Sequence, residues 1–387
     1  MIISDKSPEY RQCSISVMDN IADPDIQFDE KGICNYYYEY KAIEEEHVFS
    51  GQPGVTKLAE LLETIKQSGK GKQYDCITGI SGGVDSSYLV LMAKKWGLRP
   101  LIVHFDNGWN SETAVRNINN IIKHTGFDLY TIVVDWEEFK DLQLAYIKAS
   151  VVDIEVPTDH AISGTLQKLA AKYNIRYILS GNNVVTEAIL PPSWIYNKND
   201  YVNLMNIHKR FGTLPMKTYP LFGPKEQYLY GIGKGIQTVK PLNYLPYNKD
   251  EAKQIITKQL EWTDYGGKHY ESIFTKFYQA YILPEKFHID KRKAHLSTLI
   301  FSGQLSKAAA LEQLKEPLYQ STELRQEKEY VLKKFGLSDS AFEALMQAPR
   351  IEHKEFGKQQ PITEKYPVLK LLRPFKRIFK KSGERKN

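Results

Sequence analysis

Between residues 75 and 180, short apolar runs alternate with longer amphipathic ones, and no other feature of the chain constrains its fold as strongly. Residues 75–80 (DCITGI) predict a short buried strand, and 85–96 (DSSYLVLMAKKW) a helix with apolar residues at helical spacing. A second strand is expected at 100–105 (PLIVHF). It is followed by a helix at 111–125 (SETAVRNINNIIKHT), opened by a Ser cap with acid behind it, and by a third strand at 128–134 (DLYTIVV). Helical stretches at about 136–150 and 160–172 precede a fourth strand at 175–180 (IRYILS). This order predicts an α/β fold, a parallel, doubly wound, Rossmann-like sheet with helices on both faces. Ligands of such sheets sit beyond the carboxyl ends of the strands.

The chain's 387 residues leave room for more than this core. Residues 1–50 predict a small N-terminal module carrying Tyr36, Tyr37, Tyr38 and Tyr40. The α/β domain is assigned to 51–245, and its segment 191–246, rich in Pro, Tyr, Asn and Gly, reads as an extended insertion. A helical C-terminal subdomain follows at 246–350, and a basic amphipathic tail at 351–387. With 42% hydrophobic and 25% charged residues the composition excludes collagen-like, disordered and polytopic membrane classes. The start, MIISDKSPEYRQC, has neither a positive n-region nor an apolar h-region, so a cytoplasmic location is expected. Cys13, Cys34 and Cys76 are too few and too odd in number for a disulfide scaffold, and reduced thiols are expected.

The net charge of +6 is misleading until it is localised. Residues 366–387 hold eight Lys/Arg against Glu384 and carry +7, which leaves −1 for the rest. A whole-surface nucleic-acid binder is thereby disfavoured. In the tail, Val368, Leu369, Leu371, Leu372, Phe375, Ile378 and Phe379 recur at helical spacing among the basic residues, with Pro374 as an interruption. That pattern predicts either peripheral contact with an anionic membrane face or a solubilising extension.

The most informative stretch is Ser81-Gly82-Gly83-Val84-Asp85-Ser86-Ser87, between the first strand and its helix. Two glycines let backbone approach a ligand, and loop N–H groups with a helix N-terminus make an anion site. Ser81, Ser86 and Ser87 add hydroxyls for phosphate oxygens. Asp85 would repel phosphate unless a cation intervenes, so it points to Mg²⁺, or else to a helix cap. The stretch is neither a Walker A loop nor GxGxxG.

SGGVDSS resembles the pyrophosphate loop, SGGxDS, of the N-type ATP pyrophosphatases, the PP-loop superfamily with its adenine nucleotide alpha hydrolase type of sheet. The resemblance implies cleavage of ATP between the α and β phosphates. An amide oxygen becomes a good leaving group once it carries AMP, so such enzymes activate C=O for replacement by nitrogen or sulfur. Further stretches narrow the likeness: HFDNGWNSE (104–112), PTDHAI (157–162), SGNNVVTEAI (180–189), PPSWIYNKND (191–200), GGKHYESIFTKFYQAYILPEKF (266–287) and DKRKAHLSTLIFSGQLSKAAAL (290–311). Over roughly residues 10–320 the chain resembles the N-acetyl sugar amidotransferases of bacterial surface-polysaccharide (lipopolysaccharide and capsule) synthesis. The resemblance implies conversion of an acetamido group on a nucleotide-activated sugar to an acetamidino group, using ATP, Mg²⁺ and ammonia. It also implies two partners, a glutaminase resembling a histidine-biosynthesis amidotransferase and a cyclase-like barrel. Residue 2 is Ile, and Cys76 lies in an expected strand, so no glutaminase nucleophile is present in the chain itself. Relatives typically begin with two CxxC pairs; here Cys13 is followed by Ser16 and Cys34 by Tyr37, a degenerate zinc-ribbon-like pattern in which no zinc is expected.

These readings assign Ser81, Gly82, Gly83, Asp85, Ser86 and Ser87 to ATP, with Asp85 toward Mg²⁺. Asp106, after the second strand, is assigned to the nucleotide or to capping the next helix. Gly181, Asn182 and Glu187 follow the fourth strand near the same crevice, Glu187 toward Mg²⁺ or the acetamido nitrogen. Asp159 and His160 stand either as an N-cap beside a surface His or as a polar pair facing the amide or ammonia. By resemblance Lys268, Arg292 and Lys293 are candidates for phosphate charge, and Trp194 for stacking on sugar or base, against plain packing. Three other readings stay open: a tRNA-thiolating enzyme with the same loop, which needs a catalytic cysteine or a sulfur-carrier docking site and a basic body; a non-catalytic binding protein that kept the loop as a scaffold, whose loop would be damaged where this one is intact; and an ammonia-dependent ligase acting on another small substrate.

Overall fold

The computed structural model describes residues 9–267, 270–360 and 364. Strands β1 (Cys76–Gly79), β2 (Pro100–Asp106), β3 (Leu129–Val133), β4 (Tyr177–Leu179) and β5 (Gln237–Val239) form one sheet in the order β3-β2-β1-β4-β5. All pairings are parallel, and Cys76 stands opposite Pro100 on one side and Tyr177 on the other. The expected α/β class is therefore what the chain adopts. The order reverses between β1 and β4, so the loops leaving these two strands diverge and open a crevice at the sheet's carboxyl edge.

In chain order the helices are α1 (Asn35–His47), α2 (Gly51–Ser68), α3 (Val84–Lys95), α4 (Glu112–Thr125), α5 (Trp136–Lys148), α6 (Val156–Lys172), α7 (Val184–Glu187) and α8 (Tyr201–Phe211). Next come α9 (Pro224–Tyr228), within the 191–246 segment, and then α10 (Lys249–Leu260), α11 (Ile273–Phe277), α12 (Leu283–Phe287), α13 (Lys291–Phe301), α14 (Lys307–Lys315), α15 (Ser321–Phe335) and α16 (Asp339–Gln347). Strand periodicity divides them between the two faces. Cys76, Ile80, Ile102 and Leu179 pack with Leu89, Val90 and Ala93 of α3, Ile118 and Ile121 of α4 and Ile256 of α10. Ile77, Leu101, Val103 and Ile178 pack with Leu169 and Ala170 of α6.

Two sequence expectations change. The helix foreseen at 160 begins at Val156, because Pro157 with its fixed φ suits a first helical turn. The segment 191–246 is more than an extended insertion: it contains α8 and α9 and supplies β5, the edge strand beside β4.

The N-terminal module shares the largest apolar cluster of the molecule. Cys13, Met18, Ala22, Tyr36 and Tyr40 pack in one core with Trp194, Phe277, Phe301 and Phe342. Polar contacts tie it down as well: Trp194 Nε1–H donates to Ala22 O at 3.0 Å, Lys307 Nζ to Cys13 O at 2.7 Å, and Lys293 pairs with Asp19. The residues of the basic amphipathic pattern, 368–379, lie outside the described residues.

Candidate functional site

A cleft of about 800 Å³ opens at the carboxyl edge of β1 and β4. One wall is the loop after β1, contributing Ser81, Gly83, Asp85 and Ser86. Gly82 takes φ +82, and a Cβ there would stand 2.8 Å from Ala114 O, so this turn admits only glycine. Trp262 Nε1–H donates to Gly82 O at 2.8 Å and pins the turn from behind. Inside the loop, Gly83 N–H donates to Ser81 Oγ (3.3 Å) and Ser86 O–H to Gly83 O (3.2 Å). Helix α3 begins at once, with Gly83 as its N-cap and no side chain bonded to its first N–H groups. By contrast α4, α5, α8, α10 and α13 are each capped, by Ser111, Asp135, Asp200, Asn248 and Asp290. The N-terminus of α3, left without a side-chain cap, faces the cleft, the arrangement that binds anions.

The loop after β4 closes against this helix end. A Cβ at Gly181 would lie 3.1 Å from Asp85 C and from Ser86 N, so glycine lets the two loops touch. Asp85 is held from this side: Asn183 Nδ2 donates to its Oδ1 at 3.3 Å and Tyr247 O–H at 2.5 Å. Tyr247 is buried, and burial with the Asp85 carboxylate pushes its phenol well above the usual range. It is therefore a permanent donor to Asp85. Asn182 and Glu187 line the same wall.

Helix α6 forms another wall. Its inward stripe of Thr158, Asp159, Ile162, Ser163, Leu166 and Gln167 follows helical spacing, with Glu155 at the N-cap. Glu155 is pushed up to about 7, chiefly by burial and then by Asp159. Asp159 is joined through Lys198 (3.0 Å) to the buried Asp153 (2.6 Å). The remaining side comes from Lys249 and Lys253 of α10 and from Asp264, Tyr265, Glu271, Ser272 and Thr275. Burial and the Glu271 charge raise the Tyr265 phenol, keeping it protonated.

Of the residues singled out from sequence, Ser81, Gly83, Asp85, Ser86, Asp159, Gly181, Asn182 and Glu187 line this one cleft. Others do not. Gly82 shapes the turn, and Ser87 is turned inward and fully buried. Asp106 lies behind the wall, where its Oδ1 takes N–H groups from Gly108 (2.8 Å) and Asn110 (2.9 Å). His160 is buried: Phe222 N–H donates to its Nε2 (2.9 Å), leaving Nδ1–H for Lys198 O (2.9 Å). Burial lowers its pKa to about 4, so it is a neutral structural imidazole with both nitrogens engaged. Arg292 is folded onto Asp290 and Glu316 O, Lys293 onto Asp19, and Trp194 anchors the N-terminal module. Lys268 lies outside the described residues.

The lysines that do reach the cleft, Lys249 and Lys253, escaped sequence reading because they look like the solvated face of an ordinary helix. Glu155, Tyr247 and Tyr265 escaped it too, since nothing local marks them. All three thiols are fully buried, and burial raises Cys76 well above its ordinary value. In the N-terminal module Cys34 N–H donates to Cys13 Sγ (3.3 Å), and Ser16 Oγ stands 4.0 Å from Cys34 Sγ. The Cys34 thiol donates to Cys13, which lowers Cys13 and raises Cys34. Among the described residues no group of three or more His, Cys, Asp or Glu is arranged to hold a metal ion.

Residues 271–372 match the family described as LPS biosynthesis protein WbpG-like, C-terminal domain. Over 321 residues the chain is 25% identical to an uncharacterized protein of Methanocaldococcus jannaschii, covering 79% of this chain and 94% of that one. Among solved structures it is similar to an NMN synthetase from Francisella tularensis, with 13% identity, TM-score 0.38, and coverage of 74% of this chain and 97% of that. It is also similar to an NH3-dependent NAD synthetase from Campylobacter jejuni subsp. jejuni, with 12% identity, TM-score 0.30, and coverage of 77% and 98%. The family match opens at Glu271, inside the cleft wall, so the segment shared with WbpG-like proteins is the one that faces the SGGVDSS loop. The chain thus carries, opposite its SGGVDSS loop, a segment similar to the C-terminal domain of WbpG-like proteins.

Proposed function

We propose that the protein is an ATP-dependent, AMP- and pyrophosphate-forming ligase that converts the N-acetyl group of a nucleotide-activated sugar to an acetamidino group. The reading is supported above all by one juxtaposition: an intact SGGVDSS loop with an uncapped helix behind it shares a single cleft with the start of the WbpG-like segment. The association of that family with lipopolysaccharide synthesis favours a surface-glycan sugar as the acceptor.

On this reading the N–H groups at the head of α3, with Ser81 and Ser86, receive the phosphates, and Lys249 and Lys253 add positive charge from α10. Mg²⁺ is usually held by one or two carboxylates plus substrate phosphates, and the hard oxygen donors Asp85 and Glu187, both facing the cleft, suit it. When bound it would neutralise phosphate charge and orient the α-phosphorus. Gly181 keeps the backbone after β4 against Asp85, so the acetamido oxygen can approach the α-phosphate from the β4 side. The adenylated oxygen then leaves as AMP when nitrogen attacks. Ammonia is expected from a separate glutaminase with a cyclase-like companion, and the basic tail is expected to hold the enzyme at an anionic cytoplasmic membrane face. A tRNA-thiolating role fits less well, because all three cysteines are buried and residues 1–365 carry −1.

The test is nucleotide release across a panel of N-acetylated nucleotide sugars with ammonium present. AMP and pyrophosphate are expected; ADP and phosphate, or no release with any member, would refute the assignment.

A further inference from the structure

The wall formed by α6 contains a group for which the functional reading above has no use. Glu155 is 8% exposed, yet it lines the cleft, and its Oε1 has no hydrogen-bond partner. Its other oxygen accepts from Thr275 O–H at 3.2 Å. A buried carboxylate oxygen left unpaired carries a desolvation cost that nothing in the fold offsets. Such a group calls for an explanation, of which a catalytic role is one. Thr158 Oγ1 and Gln167 Oε1, on the same inward stripe of α6, are likewise buried without partners. The stripe thus presents acceptors, the complement of a small N–H donor.

We propose that Glu155 is the base that turns an ammonium ion into ammonia inside this cleft, an inference that rests on the amidine-forming reading above. Glu155 carboxylate takes one proton from ammonium and becomes the carboxylic acid. The freed nitrogen lone pair forms the new C–N bond to the adenylated acetamido carbon. The C–O bond to AMP then breaks, its electron pair leaving on AMP, and the second proton shed by nitrogen goes to the departing phosphate. The product is the acetamidinium, and Glu155 returns its proton to solvent through the cleft.

The surroundings set the carboxyl to receive a proton. Asp159 on α6 and Asp153 on the loop before it raise its proton affinity, and Lys198, between these two aspartates, lowers it. Lys291 of α13 and the Tyr278 phenol face the same charge cluster. Thr275, from the WbpG-like segment, stabilises the ionised form. The balance places Glu155 near 7, where a base for neutral-pH chemistry works best.

The experiment compares nitrogen donors in wild type and in Glu155→Gln, which keeps size and shape. With ammonium at neutral pH the variant should lose on the order of 10²-fold in rate, and the loss should shrink as pH rises and free ammonia becomes abundant. With hydroxylamine, already uncharged at neutral pH, the variant should stay within a few-fold of wild type, which also shows that it folds. Equal losses with both donors, or no loss with ammonium, would overturn the proposal. Thr275→Val retains the carboxyl but removes its donor, so the acid limb of the ammonium-supported pH–rate profile should move to higher pH; an unmoved limb counts against Glu155. If wild type releases no pyrophosphate with any N-acetylated nucleotide sugar, the functional reading falls and this inference with it. If it does, and Glu155→Gln uses ammonium normally, the inference alone falls.

Discussion

Tyr247→Phe removes a single oxygen atom from behind Asp85, and its effect can be worked out from the contacts described. The phenol is 6% exposed and donates to Asp85 Oδ1 at 2.5 Å, while the second donor on that oxygen, Asn183 Nδ2, stands at 3.3 Å. The ring packs with Cys76, Leu89 and Ala252, and phenylalanine keeps those contacts. What is lost is a hydrogen bond to a charged acceptor, worth about 1.5–3 kcal/mol. If Asp85 must be aimed into the cleft, most of that appears in turnover. At 1.36 kcal/mol per decade the expected loss is roughly 10- to 100-fold in kcat/KM for ATP. Global stability should fall by about the same free energy, measurable as a lower denaturant midpoint with unchanged slope. The assay is pyrophosphate release at varied ATP, with Asn183→Ala in parallel; its longer bond predicts the smaller loss of the two. A Tyr247→Phe enzyme within twofold of wild type would refute the idea that the phenol positions Asp85.

Gly82→Ala puts a Cβ 2.8 Å from Ala114 O at φ +82, a strain of about 1–3 kcal/mol that the Trp262 bond stops the turn from relieving; nucleotide affinity by calorimetry should drop at least tenfold, and unchanged binding would contradict the described turn. Thiol reagents should find none of Cys13, Cys34 and Cys76 in the native protein and all three in denaturant; fast labelling of any one under native conditions contradicts its burial. Stability should fall in mild acid. His160 and His353 are held near 4 against an ordinary 6.5, so the unfolded chain binds their protons first and stability is lost as pH drops below about 6.5. Glu155, held near 7 against 4.5, works in the opposite direction and offsets one of the two histidines. A net slope of about 1.4 kcal/mol per pH unit is expected between pH 4.5 and 6.5, roughly doubling in Glu155→Gln; urea midpoints against pH check both, and a flat profile refutes them.

The first four strands are legible in sequence because each is a short apolar run between turn signals, fully or half buried in a parallel sheet. The fifth is not: Gln237–Val239 is three residues long, at the edge, with two of them exposed. The SGGVDSS loop is legible for a different reason, since its pattern is local and the glycines that mark it are the residues that make the turn. Glu155 shows the limit. An acid before Val156 and Pro157 reads as a surface cap, and only Thr275, 120 positions later, reveals that it is walled in. His160 errs the other way, a residue with chemical promise that Phe222 and Lys198 convert into a structural strut. Lys293 and Trp194 likewise find partners near the N-terminus, at Asp19 and Ala22, which no local pattern announces.

The walls of the cleft are drawn from residues 79–86, 103–110, 155–167, 178–187, 238–253 and 264–275, with a last contribution from 299–313. On a ribosome the phosphate-type loop emerges about two hundred residues before the segment that faces it. A nascent chain can therefore build the sheet early while its pocket has no far side, and on the function proposed above nucleotide capture becomes the signature of a molecule whose late segments have docked. A ligand that bridges these walls adds its binding free energy to the joint between early and late parts of the chain, so it should sharpen the cooperativity of unfolding as well as raise its midpoint.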